Sequence, residues 1–246
     1  MTITVLYVFP LAPSYLDYAL RFVTSILEHP AGVDFDMLVV SNGGPPTGEM
    51  RALFAPFKTR WVEHDNSGFD VGGILKAAKH LDCDMVFVCG ANCYVRREFW
   101  LFRIAEVWNR TGPGMYGTMA SYMVRPHINT SGFACLPSSL CKYAEDHPNV
   151  RSRFERYEFE HGPDALHIQI ARQGMPVRLV TWDGDYGVAH WRTPENIYQK
   201  GDQSNCLTYF WHSDEYDFAD AVAKVAMTQA ANGIGTTNPS IRTIAG

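Results

Sequence analysis

The sequence predicts a single α/β domain in which a mostly parallel sheet is covered by helices on both faces. Short apolar segments rich in β-branched residues alternate with amphipathic helical segments, and most of the apolar segments end in turn-forming residues. A chain of 246 residues can bury roughly 70–75% of its unfolded surface. We therefore expect one large core that needs neither disulfides nor metal ions for its stability.

The composition argues against two classes of protein. Apolar residues make up 46% of the chain and charged residues only 19%, whereas a disordered chain is poorer in the former and richer in the latter. The formal net charge is −5, from 21 basic and 26 acidic residues. A protein that binds nucleic acid by neutralising phosphates is normally basic, so no nucleic-acid partner is expected.

The N-terminal segment and the cysteines predict a cytoplasmic protein. Residues 1–9 lack the basic region and cleavage site of a secretory signal, and no apolar run approaches the ~20 residues of a membrane helix. None of the six cysteines forms a Cys-x-x-Cys pair, so reduced and mostly buried thiols are expected.

The first half of the chain predicts four strands, each followed by a helix. Apolar period and turn chemistry set the bounds, and Ser14 is the expected N-cap of the first helix. The predicted strands are 3–9, 35–40, 59–63 and 84–89. The predicted helices are 15–27, 49–54, one that follows residues 65–73 and ends at about 81, and 98–108.

The second half is less regular. Residues 232–246 are rich in Gly, Thr, Asn and Pro, so we expect a mobile tail after a domain that covers 1–231. The predicted strands are 115–123, 132–136 and 177–181, and the predicted helices are 138–145, 163–172 and 214–230.

Polar and turn-forming residues follow the first four predicted strands, at the edge where open parallel sheets bind ligands. Asn42, Asn66 and Asp70 can each hydrogen-bond a base or a ribose. Asn and Asp also cap helices and form Asx turns, and for Asn42 and Asn66 both interpretations stay open. Asp70 favours a ligand role because it opens a helix between glycines. The four strand ends are Phe9-Pro10-Leu11, Ser41-Asn42-Gly43-Gly44, Asn66-Ser67-Gly68-Phe69-Asp70 and Gly90-Ala91-Asn92.

The first predicted strand is not followed by a glycine-rich loop of the kind that binds phosphate. Leu11 to Pro13 contains no glycine, which argues against a dinucleotide-binding dehydrogenase and a P-loop NTPase.

Four motifs occur in an order that resembles a known family. Val39-Val40-Ser41-Asn42-Gly43-Gly44 and Asn66-x-Gly68-x-Asp70-x-Gly72-Gly73 are followed by Asn129–Leu136, and then by Asp164-Ala165-Leu166 with Gly174-Met175-Pro176-Val177. This series, within residues 3–181, is similar to glycosyltransferases of the GT-A fold, family 2 in particular. The resemblance implies a Rossmann-like mixed sheet.

The resemblance also implies a function. It implies an enzyme of the hexosyltransferase type that transfers a sugar, with inversion, from a nucleotide-diphosphate sugar such as a UDP-sugar to a glycan or another hydroxyl acceptor. Polysaccharide biosynthesis is the implied setting. Residues 1–114 would hold the nucleotide and residues 115–231 would shape the acceptor site. The implied donor-binding residues are Phe9, Pro10, Asn42, Asn66, Gly68, Asp70, Gly73, Gly90, Ala91 and Asn92.

The sequence departs from the family at its metal-binding Asp-x-Asp motif, which falls on Gly90-Ala91-Asn92. Glycine offers no ligand and an amide is a weak one, so Mg²⁺ or Mn²⁺ would bind poorly. Three explanations compete: cations replace the metal, Asn92 and His190 hold it with the donor phosphates, or the domain only binds sugar nucleotides or glycans. We expect weak or no metal dependence.

Inverting transfer needs a carboxylate that deprotonates the acceptor and cations that stabilise the leaving diphosphate. Asp164 matches the family's catalytic acid, with Glu160 as the substitute. For the diphosphate, His190, Arg192 and Lys200 are the candidates, although surface solvation is the ordinary role of such residues.

On the acceptor side, the resemblance implies Thr130, Ser131 and Gly132, and a cluster of aromatic residues predicts a wall for sugars that includes Trp182 and Trp191. Single aromatic residues are more often part of a core. Two other functions remain open, a non-catalytic binding module and a nucleotidyltransferase. The latter normally carries a glycine-rich basic loop after its first strand, which Leu11 to Tyr15 lacks.

Overall fold

Helices and strands alternate through the first half of the chain in the computed structural model, which describes residues 1–234. The strands are β1 Ile3–Pro10, β2 Asp36–Asn42, β3 Thr59–His64, β4 Met85–Cys89, β5 Met115–Gly117, β6 Ala120–Ser121, β7 His127–Ile128, β8 Gly132–Cys135, β9 Val177–Val180 and β10 Asp185–Gly187. The helices are α1 Ser14–Glu28, α2 Gly48–Leu53, α3 Phe69–Ala78, α4 Trp100–Thr111, α5 Pro137–Asp146, α6 Arg153–His161, α7 Leu166–Arg172, α8 Trp211–Phe218 and α9 Ala221–Ala231.

Eight of these strands form one sheet in the order β10-β9-β5-β8-β4-β1-β2-β3, while β6 and β7 pair separately. The pairs β4–β1, β1–β2 and β2–β3 are parallel, whereas β8 is antiparallel to both β4 and β5. The carboxyl ends of β1 to β4 therefore meet at one edge of the sheet, and β8 begins at that same edge.

Two cores cover the two faces of this sheet, as the predicted fold class requires. Along β1, Val5 and Tyr7 belong to the core beneath α1 and α4, and Leu6 and Val8 belong to the core beneath α3 and α5. Successive side chains of a strand point to opposite faces, so a run that is apolar throughout is buried from both sides. None of the helices within residues 1–234 has the length and apolar character needed to cross a membrane.

Helix α6 is an element that the sequence analysis missed. The Ser152 hydroxyl accepts a hydrogen bond from the backbone N–H of Phe154, and the Glu155 carboxylate accepts one from the backbone N–H of Ser152. This reciprocal arrangement is a capping box, whose Ser-x-x-Glu pattern is legible at 152–155. The apolar period that follows is weak, which hid the helix.

Other boundaries also differ from the predictions. The predicted strand 115–123 breaks after Gly117, because the Thr118 hydroxyl bonds the Gly132 carbonyl at 3.0 Å and the chain then pairs with β7. The predicted helix 214–230 is two helices, since the Asp220 carboxylate caps α9 by accepting from the Ala223 N–H. Ser14 is already helical, and Pro13 occupies the N-cap position. The predicted tail lies outside the described residues from 235 onward.

Candidate active site at the carboxyl edge of the sheet

Backbone hydrogen bonds fix the edge at which β1 to β4 end. The Leu11 N–H donates to the Asn42 carbonyl at 2.9 Å, and the Gly43 N–H donates to the His64 carbonyl at 2.7 Å. From the second half, Ser131 joins the same edge, where its carbonyl accepts from the Gly90 N–H at 3.2 Å. The predicted donor and acceptor segments are thus adjacent in space.

The amide of Asn42 is engaged within the protein. Its Nδ2 donates to Asn66 Oδ1 at 2.7 Å and to the Phe69 carbonyl at 3.1 Å, while its Oδ1 accepts from His64 Nδ1 at 2.7 Å. Asn42 is 2% exposed. The side chains of Asn42 and Asn66 therefore join the loop after β3 to the end of β2. This is a structural role of the kind that the sequence left open beside ligand binding.

At Gly68 and Gly73, two of the predicted donor-site glycines, neighbouring atoms lie where a side chain would be. Gly68 has φ +70° and a Cβ there would lie 2.3 Å from the Val150 carbonyl oxygen. A Cβ on Gly73 would lie 3.1 Å from Val40 Cγ1, so this glycine lets α3 pack closely on the sheet. Phe9 is 3% exposed and belongs to the core, and Pro10 beside it is half-buried.

Asp70 forms an ion pair that the sequence did not predict. Arg156 of α6 donates from Nε to Oδ1 at 2.5 Å and from Nη2 to Oδ2 at 3.1 Å. Burial lowers the pKa of Arg156, but the charge and hydrogen bonds of Asp70, together with the nearby Glu160 and Tyr15, outweigh this effect, and the pKa of Arg156 is raised. Asp70 therefore joins α3 to α6 rather than standing free for a ligand.

A groove of about 790 Å³ opens beside the ends of β2 and β3. Its lining includes Gly43 and Gly44, three cationic residues and two acidic ones; the cationic residues are Lys76, Lys79 and Arg151, and the acidic ones are Glu63 and Asp65. This volume lies within the roughly 300–1,000 Å³ of small-molecule sites. The groove is therefore large enough for a nucleotide.

Gly90-Ala91-Asn92 does not fit a metal site. The Ala91 carbonyl accepts a hydrogen bond from the Tyr7 hydroxyl at 2.6 Å, and Gly90 has no side chain. Asn92 Oδ1 is buried and has no hydrogen-bond partner among residues 1–234. A single neutral amide is a weak ligand set for Mg²⁺ or Mn²⁺.

Glu160 lies at the C-terminal end of α6, against the predicted acceptor segment. Its Oε1 accepts a hydrogen bond from the Thr130 N–H at 3.0 Å, and its Oε2 lies 3.4 Å from His161 Nε2. Burial alone would raise the pKa of Glu160, but the hydrogen bond with His161 and the charges of His127 and Arg156 lower it to about 2. Glu160 is thus a largely buried carboxylate, 12% exposed, that stays ionised.

Two further histidines surround this carboxylate. His127 is 3% exposed and its ring centroid lies 4.1 Å from that of His161. Burial is the main cause that lowers the pKa of His127. Burial and the nearby His127 together lower the pKa of His167 to about 4.

Asp164 lies elsewhere. The predicted helix begins only at Leu166, and Gly162-Pro163-Asp164 forms a turn before it. The Asp164 side chain is 54% exposed and pairs with Arg172. This placement favours Glu160 over Asp164 as the carboxylate of the site.

The predicted diphosphate residues have other partners. Lys200 Nζ donates to the carbonyls of Arg192 and Pro194 and to Glu195 Oε1 at 2.7 Å. The Arg192 guanidinium lies 3.8 Å from the ring centroid of Tyr122, and His190 is exposed in a 3-10 turn. The structure therefore does not assemble these residues into a phosphate clamp with Asn92.

The predicted acceptor residues divide into two groups. Thr130 and Ser131 lie at the edge beside Glu160 and Gly90, and a Cβ on Gly132 would lie 2.4 Å from Thr118 Oγ1. Trp191 is 1% exposed, so its ring belongs to the core and has no face for a sugar. Trp182 is half-buried, donates from Nε1 to the Cys206 carbonyl at 2.9 Å, and lies under the Arg97 guanidinium.

The sequence did not predict three residues of this site, His127, Arg156 and His161. The capping box at 152–155 places α6 and, through helical spacing, puts Arg156 and Glu160 on one face. His127 had no local signal, because only the pairing of β6 with β7 brings it to α6.

No protein-family model and no curated protein matches the sequence. Similarity to solved structures is at the level of shape. A Bacillus anthracis protein named as a glucose-1-phosphate thymidylyltransferase, solved with sucrose, aligns with a TM-score of 0.51 and 8% identity over 71% of this chain and 85% of that one.

Two glycosyltransferases align less well. S. aureus TarS 1-349 in complex with UDP-GlcNAc has a TM-score of 0.45 and 11% identity over 58% of this chain and 47% of that one. The mannosyltransferase PcManGT from Pyrobaculum calidifontis, solved with GDP-Man and Mn²⁺, has a TM-score of 0.43 and 12% identity over 57% and 46%.

The similar region covers only 29–49% of the TarS chains. Identities of this size bear on the fold alone. Together with the sheet order, the similarity at a TM-score of 0.51 supports the predicted class. The chain has a GT-A-like α/β fold in a single domain.

Proposed function

We propose that the protein transfers a sugar from a nucleotide-diphosphate sugar to a hydroxyl acceptor at the carboxyl edge of the sheet. The observation that carries this proposal is Glu160, a buried and ionised carboxylate bonded to the segment that adjoins the end of β4. The groove beside β2 and β3 supports a donor site at the same edge. Donor and acceptor would then meet near Gly90 and Ser131.

The donor is assigned to the groove because of its size and charge. Lys76, Lys79 and Arg151 offer charge-assisted hydrogen bonds to phosphate oxygens. The glycines at 43 and 44 leave the backbone open to close approach. With one amide at the Asp-x-Asp position, we propose that cations rather than a metal stabilise the leaving diphosphate.

The acceptor is assigned to the side of Glu160. A carboxylate that is ionised at neutral pH can draw the proton from a hydroxyl as the new bond to the sugar carbon forms and the nucleoside diphosphate leaves. Such a single displacement inverts the configuration. A pKa of about 2 makes Glu160 a weak base by itself, so the proton would move while the new bond to the sugar carbon forms and not before it.

Thermal-shift measurements with UDP-, GDP-, dTDP- and CMP-sugars, with and without Mn²⁺, test the donor site. We expect one nucleotide class to raise the melting temperature whether or not Mn²⁺ is present. Stabilisation by none of the four would contradict donor binding, and stabilisation only with Mn²⁺ would contradict the cation assignment. Binding without transfer or donor hydrolysis would indicate a non-catalytic module.

A nucleotidyltransferase is the second candidate, favoured by the match in shape to a protein of that name. Against it, α1 begins at Ser14, directly after a three-residue connection that has neither glycine nor a basic side chain. The products separate the two functions. Sugar transfer releases a nucleoside diphosphate from a nucleotide sugar, whereas nucleotidyl transfer releases pyrophosphate from a nucleoside triphosphate.

A further inference from the structure

His127, Glu160 and His161 converge on one point beside the predicted acceptor segment. One ligand atom from each lies within 4.8 Å of the other two, and within residues 1–234 this is the group of three such side chains that meets the geometry of a metal site. The three come from β7 and the end of α6, two elements that pack on each other. The fold therefore assembles the cluster without help from a ligand.

Hydrogen bonds outside the cluster fix which atoms face inward. His127 Nδ1 lies 2.8 Å from the Arg125 carbonyl, and since a carbonyl only accepts, Nδ1 carries the proton and Nε2 keeps its lone pair. The Thr130 N–H donates a hydrogen bond to Glu160 Oε1, and the other oxygen, Oε2, faces His161. Partners of this kind orient the ligands of metal centres.

His161 supplies an independent observation. Its side chain is 10% exposed, and its Nδ1 is buried with no hydrogen-bond partner in the described part of the chain. Leaving a buried polar atom unpaired costs about 1–3 kcal/mol. Coordination of an ion through Nδ1 would satisfy this atom, whereas coordination through Nε2, which lies 3.4 Å from Glu160 Oε2, would leave it unpaired.

We propose that His127, Glu160 and His161 bind a divalent transition-metal ion of the Zn²⁺ class. Two imidazoles and one carboxylate are ligands that Zn²⁺ and its neighbours prefer, whereas Mg²⁺ and Ca²⁺ prefer oxygen alone. Metal–ligand distances of about 2.0–2.2 Å require the three side chains to move together by about an ångström. Three protein ligands leave a fourth position for water or another hydroxyl.

The neighbouring charges permit such an ion. Arg156 is the cation next to Glu160, and Asp70 binds its guanidinium through two hydrogen bonds. The site is separate from Gly90-Ala91-Asn92, where the resemblance implies a metal. Its place in catalysis rests on the proposed function: with the ion bound, Glu160 would hold the ion, and the ion would present the acceptor hydroxyl and make its proton easier to lose. Metal binding itself does not depend on that function.

Calorimetric titration of the EDTA-treated, dialysed protein with ZnCl₂ tests the proposal, and the visible absorption of the Co²⁺ form reports the ligand set. We expect one ion per chain and a Co²⁺ spectrum that Zn²⁺ displaces. His127→Ala and His161→Ala should each lower the affinity by about 10–100-fold or more. His190→Ala, which removes an exposed histidine, is the matched control and should bind as the wild type does.

Circular dichroism establishes that each variant is folded, and the Co²⁺ spectrum of the wild type tests the proposal without any variant. Absence of binding by the wild type, unchanged affinity in both cluster variants, or a loss caused by His190→Ala would overturn it. Donor binding is measured on the metal-free protein. A failure of the metal site is therefore distinguishable from a failure of the proposed function.

Discussion

Arg156 of α6 holds Asp70 of α3 in a two-pronged ion pair, with Nε–Oδ1 and Nη2–Oδ2 distances of 2.5 and 3.1 Å. Asp70 opens the helix after β3, at the edge where the first four strands end, and Arg156 lies one helical turn before Glu160. This contact joins the half predicted to bind the donor to the half predicted to bind the acceptor. It therefore sets the position of Glu160 relative to the groove.

Replacing Arg156 by lysine should weaken this junction. Lysine keeps the charge but cannot form the planar fork. The side chains of Arg156 and Asp70 are 41% and 23% exposed, so after solvent screening we expect a loss of about 1 kcal/mol in the free energy of unfolding, measured in urea. Asp70→Asn is the matched partner for a double-mutant cycle. Additive effects of the two variants would contradict the coupling.

Replacing Glu160 by glutamine should lower kcat by about 10²–10⁴-fold, the scale of losing a general base. Donor affinity should stay unchanged, since the groove lies apart from Glu160. Asp164→Asn is the matched control, and we expect near wild-type turnover because Asp164 is exposed and paired with Arg172. The reverse pattern in steady-state kinetics would return the role to Asp164.

Gly72→Ala should destabilise the protein by more than about 2 kcal/mol, as overpacking against rigid backbone does. A Cβ at this position would lie 1.9 Å from the carbonyl oxygen of Ser67, so the loop before α3 has to move. Gly48→Ala in α2 is the control, because a Cβ there meets nothing within 4 Å. Equal melting temperatures for the two variants would contradict this packing.

His167 should make the protein less stable as the pH falls from about 6.5 to about 4. Burial and the nearby His127 lower the pKa of His167 to about 4, so below pH 6.5 the unfolded chain takes up a proton that the folded chain refuses. This contribution is about 3 kcal/mol, present at neutral pH and lost across that window.

His167→Gln should flatten the pH dependence measured by urea unfolding in EDTA. Part of the slope should remain, because burial also lowers the pKa of His127. The contribution of Glu160 overlaps with this window only between about pH 4.5 and 4, since it is lost as the pH falls from 4.5 towards its folded pKa of about 2. A variant with the wild-type slope would show that His167 titrates normally in the folded protein.

The local patterns of the first half were strong enough to predict the fold. β1, β2 and β4 are mainly apolar and β3 is a short segment with a buried Val62, and each is followed by turn residues, so their existence and direction followed from the sequence. The order of the strands in the sheet did not, because β8 reaches its place between β4 and β5 through pairings that leave no local pattern.

The candidate site was harder to predict than the fold. Asparagine often binds ligands, yet the amide of Asn42 forms its hydrogen bonds with Asn66, Phe69 and His64. Trp191 is aromatic and flanked by polar residues, yet it lies in the core. Glu160 was named as a substitute on spacing alone, and the charges that keep it ionised come from residues far away in the sequence or on a helix that was missed.

The position of β8 in the sheet also governs the order in which the chain can fold during synthesis. Within residues 1–234, β1, β2, β3 and β4 pair only with one another and with β8, so residues 1–89 can begin to form their part of the sheet as soon as they leave the ribosome. β5 emerges next but has no earlier strand to pair with, because its neighbours are β8 and β9. It must wait for residues 132–135, and until then its buried edge stays open to other chains.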